Sequence, residues 1–161
     1  MTSTWPEPVD RVATFLRESA AEARLEEFSS GAATAAAAAE TIGCELRQIV
    51  KSLVFICDEH PVVVLVPGDR RVDERAVAVA LGATEVRVAR ADEVLEATGF
   101  EPGGVAPFPQ KAISRTLMDS SFLQHQVVWI GAGTASHMAA LAPAELLRLS
   151  GATAFDPESA G

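Results

Sequence analysis

The fold is decided by the stretch from Gly43 to Cys57, which reads GCELRQIVKSLVFIC. From Ile49 to Ile56 it is rich in β-branched and aromatic residues, a composition that predicts a buried strand. Alternation along a strand places residues 49, 51, 53 and 55 on one face and residues 50, 52, 54 and 56 on the other. Both faces are mostly apolar, so neither is an obvious environment for the ammonium group of Lys51.

Lys51 is therefore the first candidate functional residue. A buried charge without a partner is costly, so we expect this amine to meet an anion, to reach an edge of the sheet, or to shift its pKa. The chain has eleven arginines but only two lysines, Lys51 and Lys111. The charge at position 51 is therefore a compact ammonium rather than the guanidinium that is usual in this chain. The anion could be a ligand. The alternative is a lysine near a strand end that pairs with a carboxylate of the same chain.

The overall composition bounds the possible functions. The chain has 161 residues, of which 48% are hydrophobic and 22% charged, and we expect one domain over residues 1–161. The net charge of −9 argues against broad binding to the nucleic-acid backbone and against a DNA partner. It leaves room for binding one end of a nucleic acid in a local pocket. Without a secretory segment or an apolar run of membrane-spanning length, we expect a cytoplasmic protein with no membrane partner.

Helices and strands are predicted to mix along the chain. A short link at residues 58–60 joins two apolar runs as a hairpin, so the sheet is not purely parallel. Thr34 is a helix cap, a break is expected at residues 29–31, and glycines end several helices. The predicted helices cover residues 8–22, 35–42, 73–81, 92–98 and 143–149, and the predicted strands cover 24–28, 49–57, 61–66, 85–89, 116–118, 127–130, 136–141 and 152–155.

The loop from Gly103 to Pro109 is the second candidate. Gly103 and Gly104 allow backbone N–H groups to approach a ligand, and Pro107 and Pro109 stiffen that backbone. Rigid N–H donors aimed at a carbonyl oxygen suit acyl-transfer chemistry, in which negative charge develops on that oxygen. The alternative is an ordinary surface loop, since glycine and proline are common in turns.

The segment Gly131-Ala132-Gly133 follows a predicted strand but lacks the third glycine and the helix of a dinucleotide motif, so it is interpreted as a turn. His137, just beyond it, could hydrogen-bond a small polar ligand or satisfy itself within the protein. The three histidines have no metal-ligand spacing with the two cysteines, so we expect neither a metal nor a cofactor. There is no nucleophile elbow and no phosphate-binding Walker loop.

Several segments, taken in order, resemble the YbaK family. This is the family of prolyl-tRNA synthetase editing domains and their free-standing relatives, including ProXp-ala. The resemblance covers roughly Phe28 to Phe155, and the order and spacing of the motifs carry it. The segments are AAAAAE at 35–40, Gly43, QIVKSLVF at 48–55, VLVPGDRR at 64–71, LGA at 81–83, TGF at 98–100, GGVAPF at 103–108, MD at 118–119 and GAG at 131–133.

The resemblance implies an α+β fold with a curved, mostly antiparallel mixed sheet, barrel-like and surrounded by helices. It implies a free-standing aminoacyl-tRNA deacylase that proofreads translation in trans. Such an enzyme hydrolyses the ester joining a small wrong amino acid, such as alanine, cysteine or serine, to tRNA(Pro). The implied partners are the acceptor 3′ end of a misacylated tRNA and prolyl-tRNA synthetase.

The resemblance also assigns site residues. The family's strand lysine falls on Lys51 and its loop glycines on Gly103 and Gly104, which are the predicted catalytic residues. We expect Lys51 to hold the phosphate or ribose of the terminal adenosine and the glycine amides to donate to the ester carbonyl. Pro109 departs from the glycine that many members carry there. The predicted substrate-binding residues are Ser52, Val105, Pro107, Phe108, Gly131, Ser136 and His137.

Two other interpretations stay open at the level of sequence. The domain could be a non-catalytic module that binds a tRNA end or a synthetase through the same pocket. It could also hydrolyse a different small ester or a nucleotide, because a fold does not fix its substrate.

Overall fold

The computed structural model of the protein describes residues 4–28 and 34–157, and within them five α-helices surround one eight-stranded sheet. The helices are α1 (Glu7–Glu18), α2 (Ala35–Ile42), α3 (Glu74–Leu81), α4 (Ala91–Thr98) and α5 (Pro143–Ser150). The strands are β1 (Ala23–Glu27), β2 (Ile49–Cys57), β3 (His60–Pro67), β4 (Val86–Val88), β5 (Arg115–Asp119), β6 (Val128–Gly131), β7 (His137–Leu141) and β8 (Thr153–Phe155).

The sheet is mixed, as expected. Its strands follow the order β1-β7-β6-β2-β3-β5-β8, and β4 pairs with β2 beside this path. Among the described residues, four pairings are antiparallel, namely β1 with β7, β7 with β6, and β2 with both β3 and β4. Three are parallel, namely β2 with β6, β3 with β5, and β5 with β8. The predicted α+β class and mixed sheet are confirmed.

The hairpin formed by β2 and β3 turns through two residues, Asp58 and Glu59, and His60 already belongs to β3. Both turn residues have positive φ, 46° and 71°. This conformation matches the twist of paired strands, and Asp adopts it more readily than most residues. The Asp58 carboxylate accepts hydrogen bonds from the backbone N–H groups of Thr84 and Glu85, which fixes the hairpin tip beside β4.

The helix ends follow the sequence signals. Thr34 caps α2 by accepting a hydrogen bond from the Ala37 N–H, and the glycines that follow α2, α3, α4 and α5 are all left-handed. The prediction for α1 was too long, because the helix ends at Glu18 and Ala20 turns the chain with a φ of 51°. The break predicted at residues 29–31 lies outside the described residues.

Two short 3₁₀ helices, Leu46–Gln48 and Ser120–Gln124, were not predicted. The buried core lies on both faces of the sheet and beside α2. In α2 the buried Ala38 and Ala39 pack against Ile49, Trp129 and Met138. Ala38 and Ala39, at the end of the alanine run, therefore form its close-packing face. No helix within the described residues combines the length and the apolar character needed to cross a membrane.

Candidate active site

The site begins with a gap in the pairing of β2. One edge of β2 pairs with β3 from Val50 to Cys57. The other edge pairs with β6 only at Ile49 and Val50, and with β4 only from Phe55 onward. In the part of the chain that the structure describes, no strand covers residues 51–53 on that edge. Unpaired backbone groups there must find water or a ligand.

A cavity of about 310 Å³ lies beside this uncovered edge. Its volume is at the small end of the range for ligand pockets. It brings together residues from α2, the middle of β2, the glycine-proline loop and the facing ends of β6 and β7. The lining residues are Thr34, Ala35, Ala38, Ile49, Val50, Lys51, Ser52, Leu53, Gly103, Val105, Gly131 and Met138.

Lys51 is half-buried in the wall of this cavity, and its Nζ donates a hydrogen bond to the carbonyl oxygen of Arg70 at 2.7 Å. Burial lowers the pKa of the Lys51 amine, the positive charge of Arg71 lowers it further, and Asp69 partly opposes the shift. No carboxylate within the described chain forms a salt bridge with the amine. Its charge is held by a backbone dipole, which leaves capacity to bind an anion.

The turn that holds Lys51 is itself anchored. The Arg70 guanidinium lies 3.4 Å from the carboxylate of Asp119, a residue that is only 1% exposed. The same carboxylate accepts a hydrogen bond from the Ser121 N–H at 2.8 Å. The Arg70 carbonyl is therefore a fixed acceptor, and it orients the Lys51 side chain.

Ser52 adds a hydroxyl without a partner. Its Oγ is buried and makes no hydrogen bond with any of the described residues, although Ser52 lines the cavity. A buried hydroxyl left unsatisfied costs about 1–3 kcal/mol. Ser52 lies beside the cavity, so a water or a ligand that reaches this hydroxyl would satisfy it.

The two loop glycines differ in what their backbones can do. Gly103 lines the cavity with a φ of 91°. The N–H of Gly104, in contrast, donates to the carbonyl oxygen of Glu101 at 3.0 Å, and the Gly104 carbonyl accepts from the Gly133 N–H at 3.0 Å. The expectation that both glycines present free donors is therefore corrected for Gly104, whose N–H is used within the loop.

The turn after β6 supports the loop because its glycines have no side chains. A Cβ at Gly131 would lie 2.8 Å from the carbonyl oxygen of Val105, and a Cβ at Gly104 would lie 2.8 Å from the carbonyl oxygen of Gly133. Both neighbours are backbone atoms that cannot easily move. Gly131 ends β6 and the chain turns after it through Gly133, so the turn interpreted from the sequence begins one residue later and seats the loop.

Four predicted binding residues lie outside the cavity lining. Pro107 and Phe108 are buried, and the Phe108 ring stacks on Phe15 in the core. His137 is 3% exposed, and its Nδ1 lies 2.5 Å from the Thr134 hydroxyl. Ser136 lies in the turn before β7, and its carbonyl accepts from the Phe28 N–H.

Strand alternation explains the position of His137. Its Nε2 lies 3.3 Å from the Glu27 carboxylate, outside hydrogen-bond geometry, and its ring meets Trp5 edge to face. The next residue, Met138, lines the cavity instead, because neighbouring side chains of a strand point to opposite faces. Met138 and the α2 residues of the wall were not predicted from the sequence. The period-2 pattern of β7 was the available signal for Met138.

The cysteines do not form part of this site. Burial raises the pKa of the Cys44 and Cys57 thiols, which disfavours the reactive thiolate. Within the described ranges, no three His, Cys, Asp or Glu side chains are grouped as a metal site requires.

A larger cavity of about 680 Å³ lies at the hairpin end of β2, beside β4 and α4. Its lining includes Glu59, Glu85, Glu93 and Glu96, with Arg87 as the basic residue, and Arg87 already pairs with Glu93 at 2.7 Å. This excess of negative charge opposes the approach of a phosphate. The smaller cavity beside Lys51 is therefore the better candidate for a nucleotide end.

Known proteins are similar to this chain in sequence and in fold. A family model described as "Aminoacyl-tRNA editing domain" matches residues 29–149, well over half of the chain. The Bacillus subtilis protein YwhH, described as uncharacterized, is 35% identical over 127 residues, which are 78% of this chain and 80% of YwhH. A proline–tRNA ligase of Lactobacillus gasseri is 37% identical over 94 residues, 58% of this chain but only 17% of the ligase.

A solved structure is similar over nearly the whole chain. It is a protein described as a candidate trans-editing enzyme for prolyl-tRNA synthetase, with a TM-score of 0.88 and 32% identity, covering 95% of this chain and 98% of that one. The fold is that of an editing-type domain. The chain belongs to the family of aminoacyl-tRNA editing domains.

Proposed function

We propose that this protein is a free-standing aminoacyl-tRNA deacylase that hydrolyses the ester of tRNA(Pro) carrying a small wrong amino acid. The observation that carries the proposal is that Lys51, Ser52 and Gly103 line one small cavity at the uncovered edge of β2. The similarity to part of a proline–tRNA ligase supports the choice of tRNA(Pro).

Lys51 binds the phosphate or ribose of the terminal adenosine. Its ammonium is a compact point charge, half-buried and held by the Arg70 carbonyl. The nearby charge of Arg71 adds positive potential in a chain whose net charge is −9. A local cation in an acidic protein favours one end of the tRNA over the rest of its backbone.

The Gly103 amide stabilises the developing oxyanion. Water adds to the ester carbonyl, and the carbonyl oxygen takes up negative charge before the bond to the ribose oxygen breaks. A backbone N–H aimed at that oxygen stabilises the transition state more than the ground state. Gly104 contributes by fixing the loop, through its bonds to Glu101 and Gly133.

Among the residues that the structure describes, no carboxylate or imidazole lines the cavity as a general base. The proton of the attacking water therefore passes to the substrate, through its free ribose hydroxyl or its α-amine, while loop carbonyls orient the water. The Ser52 hydroxyl binds the substrate and gains the partner that it otherwise lacks. With a cysteinyl substrate, the substrate's own thiol can attack the carbonyl instead; the bond to the ribose oxygen then breaks, that oxygen takes the thiol proton, and the amino acid leaves as a cyclic thioester that water hydrolyses.

Selectivity follows from size. A cavity of about 310 Å³ accepts a small side chain and part of the adenosine. Such a pocket cannot strongly reject smaller side chains, so it discriminates by excluding the larger, correct amino acid. Because the acidic surface weakens binding to the tRNA body, prolyl-tRNA synthetase is the expected partner for delivery.

The test is a panel of tRNA(Pro) charged with alanine, serine, cysteine or proline, in which ester loss is followed by acid-gel separation. We expect loss of at least one small amino acid well above the spontaneous rate, while prolyl-tRNA(Pro) persists. Binding without ester loss for any member would instead identify a non-catalytic module. Loss of other small esters, unaffected by a terminal-adenosine analogue, would identify a different hydrolase.

A further inference from the structure

Helix α1 contacts both ends of the loop that carries Gly103, although it lies before residue 29, where the family match begins. At the entry, the Arg11 guanidinium donates to the Gly99 carbonyl at 2.5 Å and lies 4.7 Å from the centre of the Phe100 ring. At the exit, Phe15 stacks on Phe108 with ring centres 4.9 Å apart.

The same helix also supports the middle of the loop. Gly133 donates its N–H to the Gly104 carbonyl at 3.0 Å. A Cβ at Gly133 would lie 2.7 Å from the carbonyl carbon of Pro8, so the start of α1 lies directly against this turn. Helix α1 therefore fixes the loop at its entry, its middle and its exit.

The entry contact depends on the chemistry of Arg11. A Cβ at Gly99 would lie 2.6 Å from the Arg11 guanidinium, so the guanidinium packs directly against the backbone of Gly99 and a side chain there would displace it. A planar guanidinium can donate to a carbonyl and stack on a ring at once, whereas an ammonium cannot do both equally well. The Arg11 side chain is about one-third exposed and also lies 3.0 Å from the Glu7 carboxylate.

Gly103 itself faces open space, because nothing lies within 4 Å of the position that its Cβ would occupy. Contacts with α1 hold the loop on either side of it, at Gly99 and Phe100 and at Phe108. We propose that Arg11 is a positioning residue that sets the direction of the Gly103 N–H toward the cavity by holding Gly99 and Phe100. For catalysis this inference rests on the proposed function.

The experiment compares Arg11→Met with Arg17→Met. Arg17 lies in the same helix, is exposed, and bonds only Thr14 within α1. Both variants lose one cation and keep an unbranched side chain, so helix propensity and net charge are matched. Two readouts are taken: deacylation kinetics, and amide hydrogen exchange across the chain, which needs no substrate and no catalysis.

We expect Arg11→Met to raise exchange in residues 99–108 by at least tenfold while β2 and β3 keep wild-type protection. We expect kcat to fall at least tenfold with KM within twofold, and Arg17→Met to match the wild type in both readouts. Arg11→Lys, which keeps one donor, should recover part of both losses. It also replaces Arg11→Met as the test if that variant does not fold.

Wild-type loop exchange in Arg11→Met, or faster exchange spread equally over β2 and β3, would overturn the positioning role. So would faster loop exchange with unchanged kcat in an active enzyme. If the wild-type protein deacylates no substrate, the proposed function fails, while the exchange data alone still decide whether Arg11 holds the loop.

Discussion

The two halves of β2 differ in how they are paired. From Phe55 to Cys57 the strand is paired on both edges, with β3 and with β4. From Lys51 to Leu53 it is paired with β3 alone. Within the described residues no strand covers the other edge, which borders the cavity. The closed half carries apolar side chains. The open half carries the lysine and a hydroxyl that lacks a partner.

This contrast teaches where a sheet can place chemistry. A strand paired on both edges satisfies its backbone groups internally and has nothing left for a ligand. A short interruption, closed by a loop and a helix rather than by a strand, leaves polar groups inside a shaped cavity. Function is therefore expected to depend on residues 51–53 and their loop, and stability on both halves.

The largest expected effect comes from Lys51→Ala, which removes the cation from the open half. We expect kcat/KM for deacylation to fall about 100-fold or more, in line with the loss of one strong electrostatic contact at a reacting centre. Thermal unfolding should change little, because the amine bonds only one backbone carbonyl. The matched control is Lys111→Ala, the other lysine, which is exposed and outside the cavity lining. Wild-type rates in Lys51→Ala would remove this residue from the site.

A second contrast compares two glycines with positive φ. Gly103 (φ 91°) lines the cavity and Gly82 (φ 66°) ends α3, and in both cases nothing lies within 4 Å of an added Cβ. Alanine should cost each site about 1–2 kcal/mol of unfolding free energy through backbone strain. Only Gly103→Ala should also lower kcat, by roughly tenfold, because its N–H is turned from the oxyanion. Denaturant unfolding and single-turnover kinetics measure both, and equal kcat losses would contradict the assignment.

Replacing Ser52 should have a smaller effect, in which stability rises while activity falls. Because its buried hydroxyl is unsatisfied, Ser52→Ala should raise the free energy of unfolding by about 1 kcal/mol while lowering kcat/KM several-fold. Ser150→Ala is the control, since that buried hydroxyl donates to the Leu146 carbonyl at 2.7 Å. It should lower stability by about 1 kcal/mol and leave activity unchanged. A loss of stability in Ser52→Ala would show that its hydroxyl already has a partner.

The smallest effect is a shift along the pH axis. Burial, followed by the charge of Arg71, lowers the pKa of Lys51. Activity that needs the ammonium should therefore decline as the pH rises through a value below the usual pKa of about 10.4. The same shift stabilises the fold as the pH rises between these two values, since the unfolded chain then binds more protons. Rates corrected for spontaneous ester loss measure the first effect. In Lys51→Arg the decline in activity should move to a pH above the range that can be measured. A pH–activity profile in Lys51→Arg that matches the wild type would exclude Lys51 as the group responsible for the decline.

Much of this arrangement was readable from local sequence. Helices that end in glycine, the Thr34 cap and the β2–β3 hairpin each depend on a few neighbouring residues, and these predictions were confirmed. The family resemblance added the curvature of the sheet and assigned roles to Lys51 and the glycine loop, which the residues alone had already indicated.

What escaped prediction depends on contacts between distant segments. The gap on β2 exists because β6 and β4 stop short of each other along one edge, which no local pattern reveals. The use of the Gly104 N–H by Glu101 and the support of the loop by Gly131 also require the folded backbone. His137 was expected to line the pocket, but the register of β7 turns its side chain toward Trp5 and gives Met138 to the cavity.

The most direct measurement is an NMR titration of the isotope-labelled protein with a non-hydrolysable terminal adenosine that carries an amide-linked alanine. We predict saturable shifts that centre on Lys51, Ser52, Gly103, Val105 and Gly131, with the acid-rich cavity beside β4 unaffected. Shifts confined to that other cavity, or none at millimolar ligand, would contradict the assignment of the open half of β2 as the binding site.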